Sequence, residues 1–158
     1  MIRISKLTDY GTVVLACLAD APQDRQTAAQ VAESTRLGLA TVSKLLKSLH
    51  RAGLVTSTRG ARGGYRLARA ATRISAAAII DAIEGPVAIT ECSGQHSACG
   101  LEQVCSTGGA WQRINGAIRR SLEEITLAQL AGREQLLSWR PDLAAASHRP
   151  ASRPAARG

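Results

Sequence analysis

Residues 27–53 decide the fold, and they read TAAQVAESTRLGLATVSKLLKSLHRAG. The first four letters have the form of a capping box, in which the Thr27 side chain caps a helix and Gln30 reaches back to the cap. This motif predicts a short helix over residues 28–34. Gly38 then interrupts the helical pattern. The stretch therefore starts with one short helix that ends in a turn.

Apolar residues at helical spacing follow this turn. They predict a second helix that begins at about Ala40 and stops at Gly53, a residue type that commonly ends helices. Its inward-facing side chains are Val42, Leu45, Leu46 and Leu49. Two helices separated by a short turn that contains glycine are typical of a helix-turn-helix. A further amphipathic helix is predicted over residues 7–18.

Beyond the second helix the periodicity changes from helix to strand. Residues 54–58 and 65–67 are predicted to form two short strands, joined by RGARGG, whose glycines permit a tight hairpin and the close approach of a ligand. Such a hairpin after a helix-turn-helix makes a wing, so residues 1–73 are assigned to a winged helix-turn-helix DNA-binding domain. The second helix would enter the major groove, while Arg59 and Arg62 reach the minor groove or the phosphates.

The charge distribution also predicts a nucleic-acid partner. The chain has 158 residues and a net charge of +8. Residues 1–73 hold 12 basic and 4 acidic side chains, whereas residues 74–158 hold 8 of each. No Asp or Glu occurs between Glu33 and Asp81. An acid-free stretch of this length in a folded segment indicates a polyanion partner, most simply duplex DNA or RNA.

The composition argues against several other classes of protein. Apolar runs are too short to span a membrane and the start has no apolar signal core, so a cytoplasmic protein without a membrane partner is predicted. Aromatic residues make up only 3% of the chain, which disfavours base stacking on single strands. The histidines lie outside any recognisable nucleophile motif and no phosphate-binding loop occurs, so an enzyme is not expected.

The C-terminal half adds further elements to the winged helix. Ser75 is predicted to cap a connecting helix within residues 74–90. A loop over residues 91–109 follows. Residues 110–132 are assigned to a dimerisation helix, whose long amphipathic part is predicted from about Ala110 to Glu124. Its apolar stripe consists of Trp111, Ile114, Ile118, Leu122 and Ile125. Residues 133–158 are predicted to form a partly disordered basic tail. The predicted fold class is therefore mainly α with a small β-wing.

Three of the four cysteines, Cys92, Cys99 and Cys105, lie within the predicted loop. Three thiols in a short glycine-containing segment can converge on one metal ion or cluster, whereas a structural disulfide is disfavoured in a cytosolic chain. Their spacing lacks the short Cys pairs of most structural zinc sites and suits an iron–sulphur cluster. A zinc site completed by His96, or bare redox thiols, are the alternatives. Cys17 lies on the apolar face of the first helix and is assigned to the core.

With these features the chain resembles the dimeric winged-helix regulators that include IscR and NsrR. The resemblance rests on the winged helix, the wing sequence from Arg59 to Tyr65, the three spaced cysteines and the long C-terminal helix, and it covers about residues 1–132. The segments ISKLTDYG and LATVSKLLKSLHRAGLV resemble the branch that regulates the SUF iron–sulphur assembly operon. The resemblance implies a homodimer that binds a pseudo-palindromic operator in double-stranded DNA and represses these genes. A response to nitric oxide or iron is the alternative.

The same resemblance implies cofactor ligands. Cys92, Cys99 and Cys105 match the family's ligands to an iron–sulphur cluster, of 2Fe-2S or 4Fe-4S type. Gly108 stands where IscR-type members have a histidine as fourth ligand. Asp9 matches an aspartate that serves as fourth ligand in some NsrR-like members, so it is the candidate here. It also suits the positive end of the first helix dipole.

For DNA, the resemblance places the start of the second helix-turn-helix helix against the bases and Arg59 in the minor groove. Ser43 stands where IscR reads bases with an acidic side chain, so a different operator is expected. The lysines of the helix are expected near phosphates or guanine edges. The predicted DNA-binding residues are Thr41, Ser43, Lys44, Lys47, Arg59 and Arg62.

Overall fold

The structure, a computed structural model, describes residues 4–60, 62–90 and 105–133. Within these ranges the chain is mainly helical, with one antiparallel pair of strands. The elements are α1 (Lys6–Asp20), α2 (Ala28–Thr35), α3 (Leu39–Arg51), β1 (Val55–Thr58), β2 (Gly64–Leu67), a 3-10 helix (Ala71–Arg73), α4 (Ala76–Ile83), α5 (Gly108–Glu124) and α6 (Leu127–Leu130). The predicted fold class, a winged helix-turn-helix with a long C-terminal helix, is confirmed.

The capping box at the start of α2 forms as the sequence predicts. The Thr27 backbone N–H donates to Gln30 Oε1 at 2.8 Å, and the Gln30 backbone N–H donates to Thr27 Oγ1 at 3.2 Å. Two of the donors that a helix start leaves unpaired are thereby satisfied. The α3 helix ends two residues before Gly53, which adopts a left-handed φ of 70°. Both helices of the predicted helix-turn-helix are therefore present.

In the turn between α2 and α3, the residue with a left-handed backbone conformation is an arginine. Arg36 adopts the left-handed conformation with a φ of 56°, whereas Gly38 has an ordinary φ of −61° and precedes α3 as its N-cap. A left-handed residue other than glycine costs about 1 kcal/mol. The Arg36 N–H donates to the Glu33 carbonyl at 3.3 Å, which closes the C-terminus of α2. Gly38 separates the helices but does not supply the strained position.

The wing contains a third short partner besides β1 and β2. The two strands pair with Val55 opposite Leu67. Gln26 adds an isolated bridge, because its backbone exchanges hydrogen bonds of 2.9 and 2.8 Å with Tyr65. Gly64, with a φ of 149°, lies so close that a Cβ there would be 2.8 Å from the Gln26 carbonyl oxygen. At Gly64 the close approach expected toward a ligand is instead an approach to the protein's own backbone.

An apolar core holds the helices and the wing together. Its largest fully buried side chains come from several elements and include Leu15 of α1, Leu46 of α3, Ile79 of α4 and Leu127 of α6. All four inward-facing positions predicted for α3 are buried. Cys17 is half-buried and packs at the edge of this core, which confirms its assignment to the core.

The segment assigned to one dimerisation helix, residues 110–132, forms two helices. The first, α5, starts at Gly108 and ends at Glu124. The second, α6, returns to the core, where Leu127 is fully buried and its backbone N–H donates to the Ile74 carbonyl at 2.7 Å. A single helix would have carried Leu127 away from this contact. The long helix therefore ends at Glu124, where its sequence pattern predicts, and residues 127–130 of the assigned segment form a separate short helix.

The connecting helix α4 forms as predicted. Its cap is Ser75, whose hydroxyl oxygen accepts from the Ala78 backbone N–H at 3.2 Å. Of the predicted cysteine loop, residues 91–104 lie outside the described residues, and residues 108–109 already belong to α5. Residues 134–158 of the predicted tail also lie outside the described residues.

The end of α4 holds the start of α1. The Glu84 carboxylate accepts hydrogen bonds from the Ser5 backbone N–H at 3.0 Å and from the hydroxyl of buried Thr8. The Thr8 hydroxyl, followed by the Ser5 N–H, lowers the pKa of Glu84 below its ordinary value of 4.5. A carboxylate at this position also interacts favourably with the α1 dipole.

The substitution Glu84→Gln is expected to lower the free energy of unfolding at neutral pH by less than about 1 kcal/mol, because solvent screens this largely exposed group. Since the folded pKa lies below the unfolded one, the carboxylate stabilises the fold above pH 4.5 and loses this effect as the pH falls through the folded pKa. Urea unfolding of both proteins, measured from pH 7 down to about pH 3, should show a converging difference. A constant difference would contradict the assignment.

Candidate nucleic-acid interface and cysteine site

The outer face of α3 forms the first half of the candidate interface. Its inner face is fixed by four buried apolar side chains, so the opposite face lies toward solvent. Lys44 and Lys47 are exposed on this face, and Thr41 and Ser43 are half-buried. The first turn of α3 carries no acidic residue. The structure therefore places all four predicted residues of this helix on an accessible surface with a rigid support.

The tip of the wing forms the second half. Arg59 and Arg62 are both exposed and flank the turn between β1 and β2. In the described part of the chain, the cations that form salt bridges are Arg119 and Arg133. The four basic side chains predicted to bind DNA therefore have no carboxylate partner there: Lys44, Lys47, Arg59 and Arg62. Unpaired cations on a helix and a hairpin are suited to phosphate and base-edge contacts.

The segment before α2 also contributes to this surface, although no pattern in the sequence predicts that it does. Gln26 completes the wing through its pairing with Tyr65, and its Nε2 donates to the Cys17 carbonyl at 3.2 Å. Arg25, half-buried, lines a groove together with Arg62. A single bridging residue leaves no strand periodicity in the sequence, so the pattern of residues could not reveal it.

Cys105 is the predicted cysteine ligand that falls within the described residues, whereas Cys92 and Cys99 lie outside them. Its thiol is exposed just before α5 and lies 3.3 Å from Thr107 Oγ1. The Thr107 hydroxyl, with the backbone N–H groups of Thr107 and Gly108, lowers the pKa of the Cys105 thiol. Since thiolates are the form that binds iron, the chemistry of this donor fits an iron–sulphur cluster.

Cys17 has the opposite environment. Burial raises the pKa of the Cys17 thiol, and the side chain packs at the edge of the core. It is therefore poorly suited to bind a metal. Within residues 4–60, 62–90 and 105–133, no group of three or more His, Cys, Asp or Glu side chains gathers around one position. The described residues alone do not assemble the predicted cluster site.

Asp9 is exposed in the first turn of α1. It lines a cleft of about 540 Å³ between α1, α4 and the end of α5, whose other walls include Ile80 and Leu122. Cys105 is not among the residues that line this cleft. The structure thus leaves Asp9 accessible from outside the protomer, and the cleft does not join it to Cys105.

Comparison with known proteins decides the class of the molecule. A family model named Rrf2 and described as an iron-dependent transcriptional regulator matches residues 4–133. The chain belongs to the Rrf2 family. It is 30% identical over 136 residues to the HTH-type transcriptional regulator IscR of Yersinia enterocolitica, a match that covers 84% of this chain and 82% of that protein.

Two solved structures have a similar fold. CymR, the global cysteine regulator of B. subtilis, has a TM-score of 0.64 and 29% identity, and the match covers 85% of this chain and 100% of CymR. IscR of T. potens has a TM-score of 0.62 and 26% identity over 88% of this chain and 93% of its own. This Rrf2 protein is a transcriptional regulator, and DNA binding follows from that class. None of its described helices is long and apolar enough to cross a membrane.

Proposed function

We propose that this Rrf2 regulator acts as a homodimer that binds a pseudo-palindromic operator and represses the genes of SUF iron–sulphur cluster assembly. The observation that carries the DNA part is the set of exposed, unpaired cations on α3 and the wing tip. These are the two elements that a winged helix places in the grooves of duplex DNA. The cluster part rests on the cysteines and on the IscR relatives.

Each DNA-binding residue has a distinct proposed role. Thr41 and Ser43, on the first turns of α3, are placed to read base edges, where hydroxyl groups both donate and accept hydrogen bonds. Lys44 and Lys47 contact phosphates or guanine edges. Arg59 enters the minor groove, whose negative potential favours an inserted guanidinium. Arg62, on the other side of the wing turn, contacts the backbone.

The proposed cofactor site consists of Cys92, Cys99 and Cys105, with Asp9 as fourth ligand. The lowered pKa of the Cys105 thiol supports a thiolate donor at this position. A bound cluster would supply reactivity toward oxidants and nitric oxide, and a response to iron supply. A carboxylate is a harder ligand than a thiolate and holds iron less tightly, which suits a sensor. Because Asp9 lies on the DNA-binding domain, its coordination would link cluster state to the position of α1.

The dimer contact is proposed to be the apolar stripe of α5. Trp111 is 42% exposed and Ile114 is 45% exposed in the protomer. The helix is held to its own domain by polar contacts, namely the 2.8 Å ion pair of Arg119 with Asp81 and the Asn115 amide that donates to the Val87 carbonyl at 3.1 Å. The protomer core therefore leaves this part of the stripe uncovered, and a second copy would cover it.

The Arg59→Ala substitution is expected to weaken operator binding about 5- to 150-fold, because an arginine that contacts base edges contributes roughly 1–3 kcal/mol. Binding is measured by fluorescence anisotropy on a duplex that the wild-type protein selects from a random library. Arg113→Ala on the exposed surface of α5 is the matched control and should bind like wild type. If Arg59→Ala also binds like wild type in moderate salt, the assignment of the wing is wrong.

The exposed Cys105 thiol, whose pKa is lowered by its hydrogen bonds, also fits one alternative, a regulator of the same fold that uses zinc or bare thiols. The protein purified without oxygen distinguishes the two possibilities, because an iron–sulphur cluster absorbs visible light while zinc and thiols do not. Mössbauer spectra of the iron-57 protein identify the cluster type. A colourless protein with one zinc per chain would favour the alternative and leave the DNA-binding part of the proposal intact.

A further inference from the structure

A polar groove of about 770 Å³ lies between the wing tip and the start of α2. Arg62 lines it from the wing, and Arg25 and Thr27 line it from the segment that leads into α2. The carboxylates of Asp24 and Glu33 line it too. The groove thus borders the proposed DNA surface. It is lined by the wing tip, by the segment before α2 and by α2, and not by α3.

Arg25 has unused hydrogen-bonding capacity at this groove. Its Nη1 atom is buried and has no hydrogen-bond partner. Although Asp24 and Glu33 line the same groove, neither forms a salt bridge with Arg25 within the described part of the chain. A buried N–H without an acceptor is unfavourable, so an oxygen ligand that reaches this guanidinium would recover the lost interaction.

The backbone next to Arg25 is fixed relative to the wing. The following residue, Gln26, exchanges two backbone hydrogen bonds with Tyr65 and donates from its side chain to the Cys17 carbonyl. Gly64 packs against Gln26 with no room for a Cβ. Backbone hydrogen bonds therefore join the segment that carries Arg25 to the strand that follows Arg62, and the two arginines line the same groove.

We propose that Arg25, together with Arg62, binds a phosphate of the DNA backbone where it passes between the wing and the first helix of the helix-turn-helix. This inference rests on the proposed placement of α3 and the wing on DNA. In helix-turn-helix proteins the first helix crosses the backbone, which brings phosphates to this side of the domain. The planar guanidinium matches a phosphate with two parallel hydrogen bonds. The Arg25 side chain turns toward the groove to make this contact.

The test compares Arg25→Gln with wild type and with Arg113→Gln, which removes the same charge at an exposed position of α5 that does not line the groove. Affinity is measured from low to moderate salt for a duplex selected by the wild-type protein and for a duplex of scrambled sequence. Arg25→Gln is expected to weaken binding to both duplexes by a similar factor, roughly tenfold, and to reduce the slope of log K against log salt by about one per protomer. Arg113→Gln should change neither quantity.

Three results would overturn the inference. One is an unchanged affinity and salt slope in Arg25→Gln while wild type and Arg113→Gln bind DNA. Another is a loss confined to the selected duplex, which would indicate a base contact. If Arg25→Gln has a lower Tm, Arg25→Lys is measured and should keep the wild-type salt slope; a slope reduced as in Arg25→Gln would show a structural effect instead. Failure of wild type to bind either duplex would reject the proposed function itself.

Discussion

The Cys105→Ser substitution is expected to remove nearly all visible absorption from the anaerobically reconstituted protein. The substitution replaces a thiol whose pKa is lowered by hydrogen bonds with a hydroxyl group, which binds iron weakly. Because Cys105 is exposed, the exchange of sulphur for oxygen should leave the fold unchanged. Absorption spectra and iron content per chain measure the loss, and circular dichroism checks the fold.

Cys17→Ala provides the matched control for this experiment. It removes a thiol whose pKa is raised by burial and which packs at the core edge, so the spectrum should be that of wild type.

Asp9→Ala is expected to keep the fold and to alter the spectrum or the lability of the cluster. Full absorption in Cys105→Ser would contradict the assignment of Cys105 as a ligand. An unchanged spectrum in Asp9→Ala would show that Asp9 is not a ligand and only interacts with the dipole of α1.

The parts of the fold that the sequence could predict depend on interactions between near neighbours. The capping box at Thr27 and Gln30 spans three residues, and the spacing of Val42, Leu45 and Leu46 reports one helix face. Such patterns define a helix without knowledge of what it packs against. Once the apolar spacing identifies the buried face of α3, the opposite face must be exposed. The exposure of Lys44 and Lys47 could therefore be predicted.

The features that escaped prediction depend on contacts between distant parts of the chain. Glu84 accepts a hydrogen bond from Ser5 across 79 positions, and no local pattern marks that pair. The isolated bridge of Gln26 and the return of α6 to the core are decided by tertiary packing. The left-handed turn residue is Arg36 although a glycine stands two positions later. Residue preferences are overridden there by the geometry that the two helices require.

The same distinction between local patterns and distant contacts applies to the candidate sites. The wing arginines could be assigned because a hairpin tip exposes its side chains whatever the rest of the fold does. The loop cysteines could be grouped by spacing alone, yet spacing gives no direction for a thiol, and the Thr107 hydrogen bond that lowers the pKa of Cys105 became evident only in three dimensions. No sequence pattern indicates a role for Arg25, because the groove that it shares with Arg62 forms only where Gln26 pairs with Tyr65.

The Ile114→Glu substitution is expected to convert the dimer to a monomer and to reduce operator affinity about 100-fold or more. Each protomer would then bind its half-site independently, without the gain in affinity that comes from linking two DNA-binding domains. Ile114 is 45% exposed in the protomer, so a charge there is hydrated in the monomer and leaves the fold intact. In a dimer that covers the α5 stripe, the same carboxylate would be buried without a partner, which is strongly unfavourable.

Gln112→Glu is the matched control, because it adds one negative charge to an exposed position on roughly the opposite side of α5. Sedimentation velocity at micromolar concentration should show a dimer for wild type and Gln112→Glu and a monomer for Ile114→Glu. Operator binding should fall only in the last. A dimeric Ile114→Glu protein would place the contact elsewhere than on the α5 stripe. If monomeric Ile114→Glu bound the full operator as tightly as wild type, the proposed binding of a dimer to two half-sites would be rejected. Joining the two DNA-binding domains would then add nothing to the affinity.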